Sequence, residues 1–285
     1  MLNGSDLAVV VFGLAAAAAW GGGDFSGGLA SRRTSVTGVV IVSYTVGFLL
    51  LIFLALLRSE PLPSGADLFW GIAAGLAGVV GLTAFYRALA IGQMGILAPV
   101  TGVLSAALPV AAGIVTQGLP GTIRLIGFGL ALISVWFISR SEEHEGKGSR
   151  PIGLGLAILA GIGFGAFLTL IAQVSPTAVF WPLAAARAAS ITFMLIVATI
   201  SRQKWIPPRG LLPLLVLGGS LDSIANAFYV LATQAGRLDV AAVLSSLYPA
   251  STVLLAALIL KERMSRIQIT GVATALMAIV LIVAH

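Results

Sequence analysis

Ser141-Glu142-Glu143-His144-Glu145-Gly146-Lys147-Gly148-Ser149-Arg150 is the longest polar stretch in the chain, and it divides the 285 residues almost in half. It has no apolar periodicity and reads as a solvated linker. On both sides of it the sequence is apolar. Hydrophobic residues make up 59% of the chain and charged residues 9%, against roughly 25% charged in an ordinary soluble domain. A soluble surface cannot be built from so few charges. Strict alternation of apolar and polar residues is absent, so the chain reads as all-α and integral to a membrane rather than as a barrel.

About 20 apolar residues cross a bilayer core as a helix. Reading between charges and Pro/Gly breaks gives spans near 7–28, 36–57, 67–91, 95–117, 121–139, 151–174, 177–200, 210–235, 239–260 and 266–284, ten in all. The seventh must pass through Arg187 and the eighth through Asp222, because the uncharged runs beside these residues are too short to cross alone. The run from Leu7 has no basic residues ahead of it and continues from Ala15–Ala19 into Trp20-Gly21-Gly22-Gly23-Asp24, so it reads as a span and not as a cleaved leader.

Cytoplasmic loops are enriched in Lys and Arg. One set of alternate loops holds twelve of them: Arg32, Arg33, Arg87, Arg140, Lys147, Arg150, Arg202, Lys204, Arg209, Lys261, Arg263 and Arg266. The other holds Arg58, Arg124 and Arg237, and Arg187 completes the 16. This asymmetry predicts both termini outside and the linker 141–150 in the cytoplasm. It also accounts for the net charge of +6 without a nucleic-acid partner.

Working outward from the linker, landmarks recur at a separation of about 144 residues. Trp20-Gly21 returns as Phe164-Gly165, Arg58 with Pro63 as Arg202 with Pro207, and Gly92 and Gly127 as Gly236 and Gly271. Ala84-Phe85-Tyr86 returns as Ala227-Phe228-Tyr229 at 143, a one-residue slip, and Leu104-Ser105 with Pro109 as Leu244-Ser245 with Pro249 at 140. The last match requires an indel or is accidental. Ordered pairs at one separation indicate duplication, giving units at 1–140 and 151–285 around the linker. Five spans per unit is an odd number, so the second copy enters the membrane from the opposite face and the repeats are inverted, an architecture used for alternating access.

With these features in place, the chain resembles the EamA-type ten-helix members of the drug/metabolite transporter superfamily. The resemblance covers essentially the whole chain. It rests on the two five-helix repeats, Trp20-Gly21, Ala84-Phe85-Tyr86-Arg87-Ala88-Leu89-Ala90, Ala98-Pro99-Val100-Thr101, Leu247-Tyr248-Pro249 and Leu260-Lys261-Glu262-Arg263-Met264. It implies a carrier of the cytoplasmic (inner) membrane, commonly an exporter of amino acids or other small metabolites, with a central cavity lined by both halves. The Gly-rich segment 21–28 leaves the subfamily open.

A charge at bilayer depth costs roughly 2.5–3.5 kcal/mol on insertion scales, so Asp24, Arg187 and Asp222 need a partner or a water-filled cavity. Arg187 and Asp222 form either a structural ion pair or a site in which Arg187 takes a substrate carboxylate and Asp222 couples protons. Asp24 is either interfacial or a second coupling site. Trp20, Tyr86, Phe164, Tyr229 and Tyr248 are candidates for an aromatic cavity, the alternative being interface anchors. Thr101, Ser105, Ser245 and Ser246 supply hydroxyls, or bond their own helix carbonyls. Asn226 lies one turn beyond Asp222 on the same face. Pro99, Pro109 and Pro249 break or merely kink the matching helices of the two halves. Gly23 with Gly27, Gly71 with Gly75, and Gly161 with Gly165 read as small-residue packing surfaces.

The only histidines are His144 and His285, and cysteine is absent. Intramembrane Ser-His catalysis, disulfides and a Cys or His metal site therefore lack material. No phosphate-binding loop occurs. No metal or cofactor is expected, and the chain is not expected to be an enzyme. The leading expectation is a monomeric secondary transporter that exports amino acids or similar small amphipathic metabolites, with protons as a coupling ion and lipid as its surroundings. The alternatives are an exporter of lipophilic cations or drugs, and a lipid-handling membrane protein.

Overall fold

The computed structural model describes residues 4–92, 94–138, 152–203, 205–248, 250–251, 254–255 and 266–283, and the regular elements among them are all helical. The first half holds α1 (Gly4–Ser31), α2 (Val36–Leu57), α3 (Gly65–Ile91), α4 (Met94–Gln117) and α5 (Thr122–Ile138). The second holds α6 (Leu154–Ile171), α7 (Phe180–Ile200), α8 (Leu212–Ala235), α9 (Leu238–Ser245) and α10 (Arg266–Val283). Seven of these, α1–α4 and α6–α8, are long and apolar enough to cross a bilayer, while α5 and α10 carry shorter apolar runs over 122–137 and 269–282. The linker 141–150 lies outside the described residues.

Local chemistry sets the helix ends. Ser35 caps α2 by accepting from the Gly38 N–H, and Ser64 with Asp67 forms a reciprocal capping box on α3. Along α2, Leu49, Phe53 and Leu56 stand 61%, 59% and 64% exposed. Such a face is stable against hydrocarbon and unfavourable against water. The chain is a multi-pass membrane protein.

The packing follows the duplication. α1 packs on α8 as α6 packs on α3, α2 on α8 as α7 on α3, and α9 on α1 as α4 on α6. The α2–α7 and α5–α10 pairs map onto themselves when the halves are exchanged. Among the described residues, all of the most extensive helix contacts join one half to the other.

Individual residues repeat the pattern. Trp20 packs on Tyr229 with ring centroids 5.8 Å apart, and Phe164 on Phe85 at 5.7 Å; both members are displaced by 144 residues. In space Tyr229 is therefore the counterpart of Phe85, and the one-residue slip read from Ala84-Phe85-Tyr86 is not needed there. A Cβ on Gly75 would lie 2.2 Å from the Ala186 carbonyl oxygen, and one on Gly219 would lie 2.2 Å from that of Ser43. The slip belongs to α2 and α7, whose ends match at 143: Ser59 and Arg202 both adopt left-handed φ of 49° and 51°. In both turns the next N–H reaches back, Glu60 to the Ala55 carbonyl and Gln203 to that of Ala198.

The ninth span departs from expectation. A continuous helix over 239–260 was expected, but α9 ends at Ser245, the chain turns at Ser246 and Leu247, and helical backbone resumes at Tyr248. A proline at 249 has no N–H for the Ser245 carbonyl, and at the turn the Ser246 hydroxyl donates to the Val243 carbonyl at 2.8 Å. Pro249 itself lies outside the described residues. By contrast, α4 continues through both Pro99 and Pro109.

Candidate functional site

Small residues let the first, third, sixth and eighth helices approach closely enough to shape a cavity between the halves. A Cβ on Gly163 would lie 2.7 Å from the Gly81 Cα, and one on Gly161 would lie 2.5 Å from the Leu104 Cβ. Gly71 and Gly75 give α3 its line of contact with Pro182 and Ala186 of α7. Gly27 makes room for the Tyr86 ring, and Gly23 lies against the Asp222 backbone. The expected small-residue surfaces are thus the seams of the bundle.

A partly open cavity of about 50 Å³ lies between these helices. A single water needs roughly 10–15 Å³. In this conformation the space suits a few waters or a small solute and is too small for a drug-sized molecule.

Arg187 of α7 and Asp222 of α8 meet in the cavity wall. The guanidinium Nη2 donates to Asp222 Oδ2, with the two side chains 6% and 19% exposed. Tyr44, which the sequence did not single out, lies beneath the guanidinium, whose carbon is 4.0 Å from the ring centre. Asn226 donates through Nδ2 to the Asp222 backbone carbonyl at 2.7 Å and to Oδ1 at 3.4 Å. Trp20 stands in the same cavity wall as Asp222.

Asp24 enters the same cavity from α1. It lies about two turns before Ser31, where α1 ends. Arg187 and Asp222 are the other charged residues among the described lining of that cavity.

Of the aromatic and hydroxyl candidates, Trp20, Phe164 and Tyr248 line the cavity, as do Ser105 and Ser245. The hydroxyls are engaged in packing as well: Ser105 Oγ donates to the Gly102 carbonyl at 2.8 Å and Ser245 Oγ to that of Gly13 at 3.4 Å. Three candidates are not among the lining residues. Tyr229 donates to the Leu168 carbonyl at 3.1 Å, and Thr101 to those of Leu97 and Ala157 at 3.0 and 3.1 Å. The Tyr86 hydroxyl lies in the Gly27 gap. Ser246, also a hydroxyl candidate, lines the cavity too, whereas Gly78, Leu82, Phe167 and Leu168 line it without having been singled out.

One end of the bundle is closed by polar contacts between the halves. Glu60, after α2, accepts from the N–H groups of Val179, Phe180 and Trp181 at 3.0–3.1 Å, covering the N-terminus of α7. Asp67 accepts from the Ser175 N–H at 2.7 Å, and Gln234 donates to the Ser175 and Ala178 carbonyls at 3.1 and 3.0 Å. Beside Gln234, Arg237 pairs with Asp239 at 2.7 Å and donates to the Gln117 and Gly118 carbonyls at the end of α4 at 3.1 and 2.8 Å.

Comparison with known proteins gives one family and one fold. The family model described as the EamA-like transporter family matches twice, over residues 7–140 and 151–284. A solved crystal structure of a protein superposes with a TM-score of 0.73, covering 96% of this chain and 95% of its own, at 18% identity. That likeness concerns the fold alone. No curated protein matches the chain.

Proposed function

Because the chain belongs to the EamA-like transporter family, we propose that it is a secondary carrier exporting amino acids or similar small amphipathic metabolites across the cytoplasmic membrane. The observation that carries this reading is the placement of Arg187, Asp222 and Asp24 around one small cavity between the two halves. Buried charges inside a membrane protein mark solute and ion paths, and a zwitterion has use for both signs. The exchange-symmetric packing supports two inverted five-helix repeats, ten spans in all, that rock about this cavity.

In this reading the termini face outward, the linker 141–150 lies in the cytoplasm, the chain works as a monomer, and protons are the coupling ion. The aromatic walls and two carboxylates also favour a second reading, export of lipophilic cations, but the available volume limits it to small ones. A lipid-handling role has less support, because the charges converge inside the bundle and not at one face.

The test is uptake by purified protein in liposomes, using labelled amino acids, organic cations and a nucleoside with and without a pH gradient. Saturable uptake of one class is expected, accelerated by the gradient. A folded preparation that moves none of them refutes the carrier.

A further inference from the structure

The cavity wall is built twice. Trp20 and Asp24 of α1 line it, and so do Phe164 and Leu168 of α6, the residues 144 positions later. Gly78 and Leu82 of α3 line it together with Asp222 and Asn226 of α8, again 144 positions later. The correspondence of Phe85 with Tyr229 in space fixes this register. Tyr44 and Arg187 are counterparts at 143 and touch each other, the guanidinium carbon 4.0 Å from the ring centre. A residue that touches its own counterpart stands on the axis relating two equivalent halves, so the cavity straddles that axis.

Equivalent positions do not carry equivalent chemistry. On the α1–α8 seam stand an indole, two carboxylates and an amide, at Trp20, Asp24, Asp222 and Asn226. At the matching places on the α6–α3 seam stand Phe164, Leu168, Gly78 and Leu82. Phe167 closes the space that Gly78 leaves, since a Cβ on Gly78 would lie 3.0 Å from its Cδ2. Among the described lining residues, α3 and α6 supply no side chain able to form a hydrogen bond. The hydroxyl that α4 brings beside this seam, Ser105, donates to the Gly102 carbonyl of its own helix at 2.8 Å. One seam is thus polar and its counterpart apolar.

From this we infer that the cavity holds its solute in one orientation, with a polar head on the α1–α8 wall and an aliphatic side chain on the α3–α6 wall, where Leu82 and Phe164 select among solutes that share a head group. The inference rests on the carrier reading and narrows its substrate class to α-amino acids with aliphatic side chains. A hydroxyl or amide placed against α3 and α6 gives up its water and finds no partner, whereas an aliphatic group gains by leaving water. The same penalty bars the reversed orientation, in which the head would meet the apolar wall. It also disfavours solutes that are polar at both ends, such as dicarboxylates, diamines and sugars.

Leucine with asparagine, and valine with threonine, are pairs of similar shape and identical head group. Each is offered, labelled and at one low concentration, to the full-length protein in liposomes. Leucine uptake is expected to exceed asparagine uptake at least about tenfold, and valine uptake to exceed threonine uptake severalfold. Leu82→Asn places on the apolar wall the residue that stands at its counterpart, 226, and should bring the leucine-to-asparagine ratio close to one. Phe164→Ala deepens the same wall without adding a polar group and should raise the leucine-to-valine ratio severalfold. Asn226→Ala, on the polar wall, should slow all four solutes by a similar factor and leave both ratios in place. Equal uptake of leucine and asparagine by the parent, or ratios that neither wall variant moves in folded protein, overturns the inference and leaves the carrier standing. Absence of uptake for all four amino acids by folded protein also overturns it; organic cations or a nucleoside that still move keep the carrier standing, and their failure removes that reading too.

Discussion

Arg187 on α7 donates to Asp222 on α8, and the pair joins two helices that otherwise touch little. Each of these helices packs mainly on the first half of the chain. The pair therefore spans a gap between two seams, where neither residue has a second ion pair among the described residues.

Removing one partner should be worse than removing both. Asp222→Asn retains the shape and the Asn226 contact but strands the guanidinium, at a cost of about 3–5 kcal/mol. The double change Arg187→Met, Asp222→Leu should recover most of that stability and remain inactive. Thermal unfolding in detergent checks this, and an Asp222→Asn protein that melts with the parent would show that Asp222 does not hold the charge.

Gly75→Ala and Gly219→Ala should each prevent a monodisperse preparation, because the added methyl meets a backbone carbonyl oxygen at 2.2 Å and the helices must separate. Overpacking of this kind costs about 1–3 kcal/mol or more. Gly155→Ala, with nothing within 4 Å of the new atom, is the control and should behave as the parent. Size-exclusion profiles of fluorescent fusions distinguish the three.

Glu60→Ala should lower stability by about 1–2 kcal/mol, since three N–H groups at the start of α7 lose their acceptor. Glu60→Gln retains an acceptor oxygen and loses the charge, so it should fall between the two. Their order in a melting experiment tests whether the carboxylate caps the helix.

Arg237→Ala should loosen the closed end of the cavity, because the guanidinium links the end of α4 to the start of α9. The chain has no cysteine, so a single cysteine at Ser105 reports on access directly. Its labelling by an impermeant maleimide should accelerate severalfold in Arg237→Ala, roughly the effect of losing 1–2 kcal/mol of hydrogen bonding. An unchanged rate would mean that the Arg237 contacts do not keep this end shut.

The helices and the duplication were legible in the sequence because they depend on local composition and on spacing along the chain. Asp24 and Tyr44 were harder to judge. Asp24 was weighed as interfacial because it lies toward one end of its span, and spacing along the chain could not show that it faces the cavity between the halves. Tyr44 sits on a uniformly apolar helix, and its role comes from Arg187, 143 positions away in sequence. Tyr86, Tyr229 and Tyr248 look equivalent as residues. Only the packing of neighbouring helices turns Tyr248 toward the cavity, Tyr229 toward the Leu168 carbonyl and Tyr86 toward Gly27.

The interlocking of the two halves also governs how the protein is made. The broad helix seams join elements from opposite sides of the linker, so the first five helices leave the ribosome before the surfaces they pack against exist. During that interval the glycine faces of α1 and α3 have only lipid, or the insertion machinery, to cover them. Assembly therefore completes only when the later helices reach the surfaces that the earlier ones have held open.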